Sequence, residues 1–358
     1  MAASDTRLPT VSRRRVVFVV GSGRSGTSTM AGALQALGMH VPQPEVRADE
    51  TNPKGFAESK WVVDLHTELL QRTHVQVSDA RPSAWYETGK ASASDITRAR
   101  LTDWLGPHFR EARVVDGVEE PAVEELVVKD PRLAWFIGLW KSAALRTDAE
   151  ASYVTMLRHV TEVVGSKKRY YAPGQTGSAF SEVQRTAAWV NMMLHTERAT
   201  RDGRRFFVRY DDLLTDWTVP VFRLGQELDL EAVRSASANS IRAVHQFIDC
   251  DLKRVRTTWD DVEVPGRLRE IAEETWSGLT KLAEPGGDTP DVHAHLDEVR
   301  ESYVAFYDEA EAVAQSSVVA ARRQGAAEAR EQAQQGRGAG PDPFATRAKR
   351  RIRRALGS

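Results

Sequence analysis

The run Gly21-Ser22-Gly23-Arg24-Ser25-Gly26-Thr27-Ser28 follows directly on the charge-free stretch Val16–Val20 and leads into Thr27–Leu37, which has helical spacing. Its glycines let successive backbone N–H groups converge on an anion, and a helix opening at Thr27 adds the positive end of its dipole. The chemistry such a loop performs is the cradling of a phosphate. An NTP-hydrolysing loop carries Lys immediately after the last glycine. Here that position is Thr27, and the loop's only cation is Arg24. The pattern argues for phosphate binding and against an ordinary ATPase or kinase. Gly21, Gly23 and Gly26 also satisfy GxGxxG, but no acidic residue closes a second strand at the distance a dinucleotide site requires; Glu45 and Asp49 fall in a proline-containing loop. The plainer alternative is a tight turn with no ligand.

Other charged residues stand just past apolar runs: Lys129 and Arg132 after Leu126–Val128, Arg158 after Tyr153–Leu157, Asp211 after Arg205–Arg209. These runs read as strands buried on both faces of a parallel sheet. Helical spacing between them predicts helices over 27–37, 58–73, 94–113, 181–201 and 213–229, with 40–57 a long surface loop and 78–93 irregular. Strands alternating with helices predict an α/β fold, a three-layer doubly wound parallel sheet of P-loop type, with helical additions and a basic C-terminal tail. Ligands of such sheets bind beyond the strand C-terminal ends, where the charged residues gather. The expected division is a disordered 1–12, a domain over 13–312 (core 14–260, helical accessory part 230–312) and an Ala/Arg-rich helical or disordered tail over 313–358.

The chain has 358 residues, 41 % hydrophobic and 28 % charged, and a formal net charge of −1, so bulk charge does not point to nucleic acid. The near-zero sum hides an asymmetry: residues 316–358 hold ten Lys/Arg against three Asp/Glu. The basic segment 344–356 has little apolar area, which limits it to loose attraction to anionic lipid. The single cysteine, Cys250, excludes an intramolecular disulfide framework and a cysteine-rich metal cluster. The apolar run behind Arg13–Arg15 is too short for a secretory signal, and no run approaches the roughly 20 residues of a membrane span. A cytoplasmic protein is expected.

GSGRSGTS after a hydrophobic strand resembles the 5′-phosphosulfate loop of sulfotransferases that use 3′-phosphoadenosine 5′-phosphosulfate. Arg158, with Ser166 eight positions on, resembles that family's second element, an Arg at a strand end followed by a Ser in the next helix. Asn52–Glu58 and Val128–Arg132 resemble segments of its bacterial branch, and Arg209–Leu213 the segment after a later core strand. The resemblance covers about residues 14–260 and departs at Val160, where a Pro is frequent. It implies a cofactor site of Gly23, Arg24, Ser25, Gly26, Thr27 and Ser28 at the phosphosulfate, Arg158 and Ser166 at the 3′-phosphate, and Tyr210. It also implies sulfuryl transfer without a metal to a hydroxyl acceptor, a glycan or glycolipid. Arg24 is expected to stabilise charge on the leaving phosphate rather than donate a proton.

The acceptor needs a base. The region where cytosolic eukaryotic relatives carry a His reads Lys129-Asp130-Pro131-Arg132, so Glu58 is the first candidate, Glu45 the second and Asp130 the third. Glu58 has a rival reading as a helix-N-terminal carboxylate favoured by the dipole. His108, His159, His195 and His245 show no metal spacing and read as surface or core residues. Trp85-Tyr86 is a candidate acceptor lining. Lys167-Lys168-Arg169 either guides an anionic cofactor or forms a solvated helix face. Two other classes stay open: a P-loop nucleotide-binding kinase, and a non-catalytic anion-binding scaffold.

Overall fold

The computed structural model describes residues 14–50, 52–115, 118–120, 122–171, 179–248 and 256–338; segment 1–12, Cys250 and the basic stretch 344–356 lie outside these. Four strands form one parallel sheet in the order β4 (Glu125–Lys129), β1 (Arg14–Val20), β5 (Ala149–Leu157), β6 (Arg204–Arg209). Val17 pairs with Val127 on one side and Ser152 on the other. β1 and β4 are valine-rich because both of their faces are covered. Side chains alternate across a strand, so Val16, Phe18 and Val20 enter one core and Val17 and Val19 the other.

The first core is closed by α2 (Lys60–Thr73) through Val62, Leu65 and Leu69, by α4 (Asp95–Leu105) through Leu101 and Leu105, and by α5 (Ile137–Arg146) through Trp140. The second is closed by α1 (Thr27–Ala36) through Met30 and Leu34, and by α9 (Thr218–Glu227) through Val221 and Leu224. The result is helix layers on either side of a parallel sheet, the α/β class expected.

After β1 the chain returns as β4 on one side and then as β5 on the other. The two connections diverge at the C-terminal end of β1, which opens a crevice there. The glycine loop, Lys129 at the end of β4 and Arg158 just past β5 all stand at this edge.

Local structure differs from expectation in three places. The segment expected to be irregular contains α3 (Ala84–Ser92). The helix expected over 94–113 stops at Leu105; Gly106 and Pro107 form a 3₁₀ turn, and an antiparallel pair follows, β2 (Arg113–Val115) and β3 (Val118–Glu120). Proline lacks the N–H a continuing helix needs. The expected 213–229 helix is broken between α8 (Tyr210–Thr215) and α9, where the Asp216 carboxylate accepts from the Thr218 N–H at 3.0 Å and restarts the helix.

Past β5, α6 (Val160–Tyr171) and α7 (Ala179–Thr200) flank the sheet. The short α10 (Glu231–Arg234) and α11 (Ala238–Phe247) pack Val233 and Val244 into the second core. Two longer helices follow, α12 (Gly266–Leu282) and α13 (Pro290–Gly338). The chain forms two compact units, Met1–Val304 and Ala305–Ser358. Within the first, Asp297 of α13 pairs with Arg201, and the Tyr303 hydroxyl donates to the Ala80 carbonyl. Residues 305–331 of α13 are mostly exposed.

Candidate active site

The glycine loop is built by its own hydrogen bonds. The Ser25 N–H and hydroxyl both donate to the Ser22 carbonyl, at 3.1 and 2.6 Å, which closes the turn. Gly26, at φ 91°, ends the loop as the helix N-cap and offers α1 no side-chain cap, and the first turn holds no acidic residue. An α-helix leaves its first N–H groups without intrahelical partners. Here those of the α1 first turn sit where Thr27 and Ser28 line a cavity of about 590 Å³, within the range of small-molecule sites.

Arg24 is a non-glycine residue at φ 76°. Such a conformation costs about 1–3 kcal/mol and marks a position held by its surroundings. Two contacts hold it: Arg158 Nη1 donates to the Arg24 carbonyl at 3.1 Å, and Arg24 Nε donates to Ser166 Oγ at 3.1 Å. Arg158 is nearly buried, paired with Glu162 at 3.0 Å and lying 4.9 Å over the Tyr210 ring. Tyr210 in turn packs its ring under Gly26 and its hydroxyl against the Thr29 side chain. Burial pushes that phenol above its usual range. One connected assembly therefore joins the loop, the end of β5 and the start of α8.

The opposite wall carries an ion pair. Lys129 is almost fully buried; its Nζ bonds Glu58 and donates to Ser28 Oγ at 2.8 Å. Burial raises the Glu58 carboxyl above the ordinary glutamate range, with Lys129 opposing the rise. A carboxyl displaced upward by burial beside a cavity is a candidate for acid–base chemistry.

The model of the sulfotransferase family matches residues 16–234, well over half of the chain and all of the sheet except the first two residues of β1. The chain belongs to that family. The chain is also similar, at 17 % identity and a TM-score of 0.40, to the sulfotransferase domain of the Synechococcus PCC 7002 olefin synthase, covering 76 % of this chain and 97 % of that one. A second likeness is to the sulfotransferase domain of the curacin biosynthetic pathway, at 16 % identity and a TM-score of 0.39, covering 75 % and 99 %. Male-enhanced antigen 1 of Rattus norvegicus and of Mus musculus is 32 % identical over 90 residues, 23 % of this chain and 52 % of theirs. The chain spans about half the length of these curated relatives.

The fold brings most of the sequence-predicted residues together and sets some apart. Gly23, Arg24, Gly26, Thr27, Ser28, Glu58, Arg158, Ser166 and Tyr210 all line the cavity. Ser25 does not: its donors are spent on Ser22, so it shapes the loop. Glu45 lies off the cavity, accepting from Gln35 at 2.8 Å and Gln43 at 2.7 Å. Asp130 is fully buried and engaged by His66 Nδ1 at 2.9 Å and by Arg132 through its backbone N–H and Nη1. Trp140 Nε1 donates to His66 Nε2 at 2.8 Å, so the imidazole proton sits on Nδ1 and points at Asp130. The Asp130 carboxyl is held below the usual range by these partners. It orients Arg132, which does reach the cavity. Trp85 and Tyr86 are exposed and line no part of it.

Arg24 and Ser166 were expected at opposite ends of the ligand, but they are hydrogen-bonded to each other. The left-handed backbone at Arg24 is what the loop turn requires. The cation beside the helix N-terminal hydroxyls is Lys129, whose strand-end position was visible in the sequence but not its neighbours. His195 is a core histidine, stacked on Trp135 with ring centres 5.4 Å apart and pushed down to about 4 by burial. Among the described residues no three His, Cys, Asp or Glu side chains gather as a metal set, and no helix is long and apolar enough to cross a membrane.

Gly26 gives a direct test of the loop. A Cβ there would lie 2.2 Å from Tyr210 Cδ2, whereas Gly55, also at positive φ, has nothing within 4 Å. Gly26→Ala is expected to cost about 3 kcal/mol by combined overpacking and backbone strain, and Gly55→Ala about 1 kcal/mol by strain alone. Denaturant midpoints for the two variants check this; equal losses would contradict the packing of Tyr210 on the loop.

Proposed function

We propose that this sulfotransferase carries the sulfuryl group of 3′-phosphoadenosine 5′-phosphosulfate to a hydroxyl of a glycan or glycolipid. The observation that carries the reading is that the uncapped N-terminus of α1, the Arg24–Ser166–Arg158 assembly and the Glu58–Lys129 pair all face one cavity. The residues fit a bis-anionic nucleotide: orphan N–H groups at one place, a buried guanidinium with a hydroxyl at another. The backbone of Gly26, Thr27 and Ser28 would hold the 5′-phosphate and Arg158 with Ser166 and Arg24 the 3′-phosphate. The bound donor supplies an electrophilic sulfur with a phosphate leaving group.

The chain's own groups do the rest. Glu58 takes the proton of the acceptor hydroxyl. Lys129 holds Glu58 in place and sets positive charge beside Ser28, where charge builds on the leaving group. Asp130, fed by His66 and Trp140, keeps Arg132 turned to the cavity. We place the protein in the cytoplasm, with a catalytic domain over 13–312 and the 313–358 tail in loose contact with anionic lipid. Incubation with ³⁵S-labelled donor and fractionated glycans and glycolipids tests the reading. Label in a hydroxyl-bearing product is expected; magnesium-dependent ATP turnover with no sulfuryl transfer would overturn it.

A further inference from the structure

Among the described residues the cavity is lined by six basic side chains, Arg24, Lys129, Arg132, Arg158, Lys167 and Arg185, against a single carboxylate, Glu58. Lys167 and Arg185 have no part in the nucleotide site assigned above. Lys167 follows Ser166 on α6, and successive helical residues point about 100° apart, so it meets the cavity at a different place from Ser166. Its Nζ instead meets Ser78 Oγ at 2.9 Å, on the loop between α2 and α3. Arg185 stands on the first turns of α7, where Gln184 Nε2 donates to Gln76 Oε1 of the same loop at 3.2 Å. Neither cation has a carboxylate partner among the described residues. The nearest acid along α7, Glu182, accepts from the Glu263 N–H instead.

Burial, joined by the nearby Arg185 guanidinium, drives the Lys167 ammonium down to about 8, so holding a cation there beside a like charge is costly. A bound anion removes that cost. Arg132 borders the same space, turned inward by Asp130. We propose that the acceptor is itself anionic, a hydroxyl compound bearing a phosphate or carboxylate that Lys167 and Arg185 hold while its hydroxyl faces Glu58. This rests on the sulfotransferase reading of the site and narrows its acceptor class.

The test uses the full chain saturated with 3′-phosphoadenosine 5′-phosphate, the desulfated nucleotide, titrated calorimetrically with glycerol 3-phosphate, with 3-hydroxybutyrate and with neutral glycerol. Wild type is expected to bind at least one of the anions and not glycerol. Arg185→Gln and Lys167→Met are each expected to weaken that anion at least tenfold while nucleotide affinity stays within threefold. The first anion to bind tells phosphate from carboxylate. Equal anion affinity in wild type and Arg185→Gln, no binding of either anion, or a tenfold loss of nucleotide affinity in Arg185→Gln each overturns the inference, the last by assigning the cation to the nucleotide. Failure of the wild type to bind the nucleotide at all strikes instead at the sulfotransferase reading of the site.

Discussion

Arg158→Ala is expected to lower affinity for 3′-phosphoadenosine 5′-phosphate by about 100-fold, the equivalent of about 3 kcal/mol for a buried charge-assisted contact. The guanidinium is nearly buried, braced by Glu162 and by the Tyr210 ring, and so meets a phosphate with little entropy left to lose. Adenosine 5′-phosphate, which lacks the 3′-group, is the control. Its weaker binding should change less than threefold, because in the proposed site the α1 N-terminus and not Arg158 would hold the 5′-end. Arg158 also donates to the Arg24 carbonyl, so a collapse of the loop would weaken both nucleotides alike. Parallel losses in calorimetry would therefore contradict the assignment of Arg158 to the 3′-phosphate. Arg158→Lys should recover only part of the affinity, since an ammonium cannot donate to both the Arg24 carbonyl and a phosphate through one planar fork.

The second large effect belongs to Glu58. Glu58→Gln keeps the shape and a hydrogen-bonding side chain for Lys129 but removes the proposed base, and turnover should fall by about 10²–10⁴ with nucleotide affinity unchanged. The pH profile supplies the mechanism's signature. A base must be ionised to work, so activity rises with pH through the Glu58 pKa, and burial sets that rise above the ordinary glutamate range. Lys129 is the chief influence pulling the pKa back down. Removing it in Lys129→Met leaves a buried carboxyl without its cation, which moves the acid limb further up in pH as well as lowering the maximum. An acid limb that stays put in Lys129→Met, or near-native turnover in Glu58→Gln, would take Glu58 out of the reaction.

The loop and the strands around it were legible in the sequence because each rests on local physics. Val16–Val20 cannot be anything but a doubly buried strand in that setting, and glycines at 21, 23 and 26 with Thr27 opening a helix follow from backbone geometry alone. The spacing from Arg158 to Ser166 also survived, since both lie across one strand–helix turn. The rest depends on long-range placement. Lys129 reads as one more charge after a strand until β4 lies beside β1 and delivers it to Ser28 and Glu58. Asp130 is one residue away with an equally plausible carboxylate, and the side-chain alternation of an extended chain sends it inward to His66. Glu45 is at the right distance along the chain, but its loop turns it toward Gln35 and Gln43. The β2–β3 pair and α3 escaped because both are short, and nothing in three or nine residues outweighs their neighbours.

A crystal structure with 3′-phosphoadenosine 5′-phosphate bound tests the two-ended nucleotide site most directly. The 5′-phosphate should lie on the N–H groups of Gly26, Thr27 and Ser28, and the 3′-phosphate should lie against Arg158 and Ser166. A nucleotide whose 3′-phosphate faces solvent, or one seated away from the first turn of α1, would contradict the account.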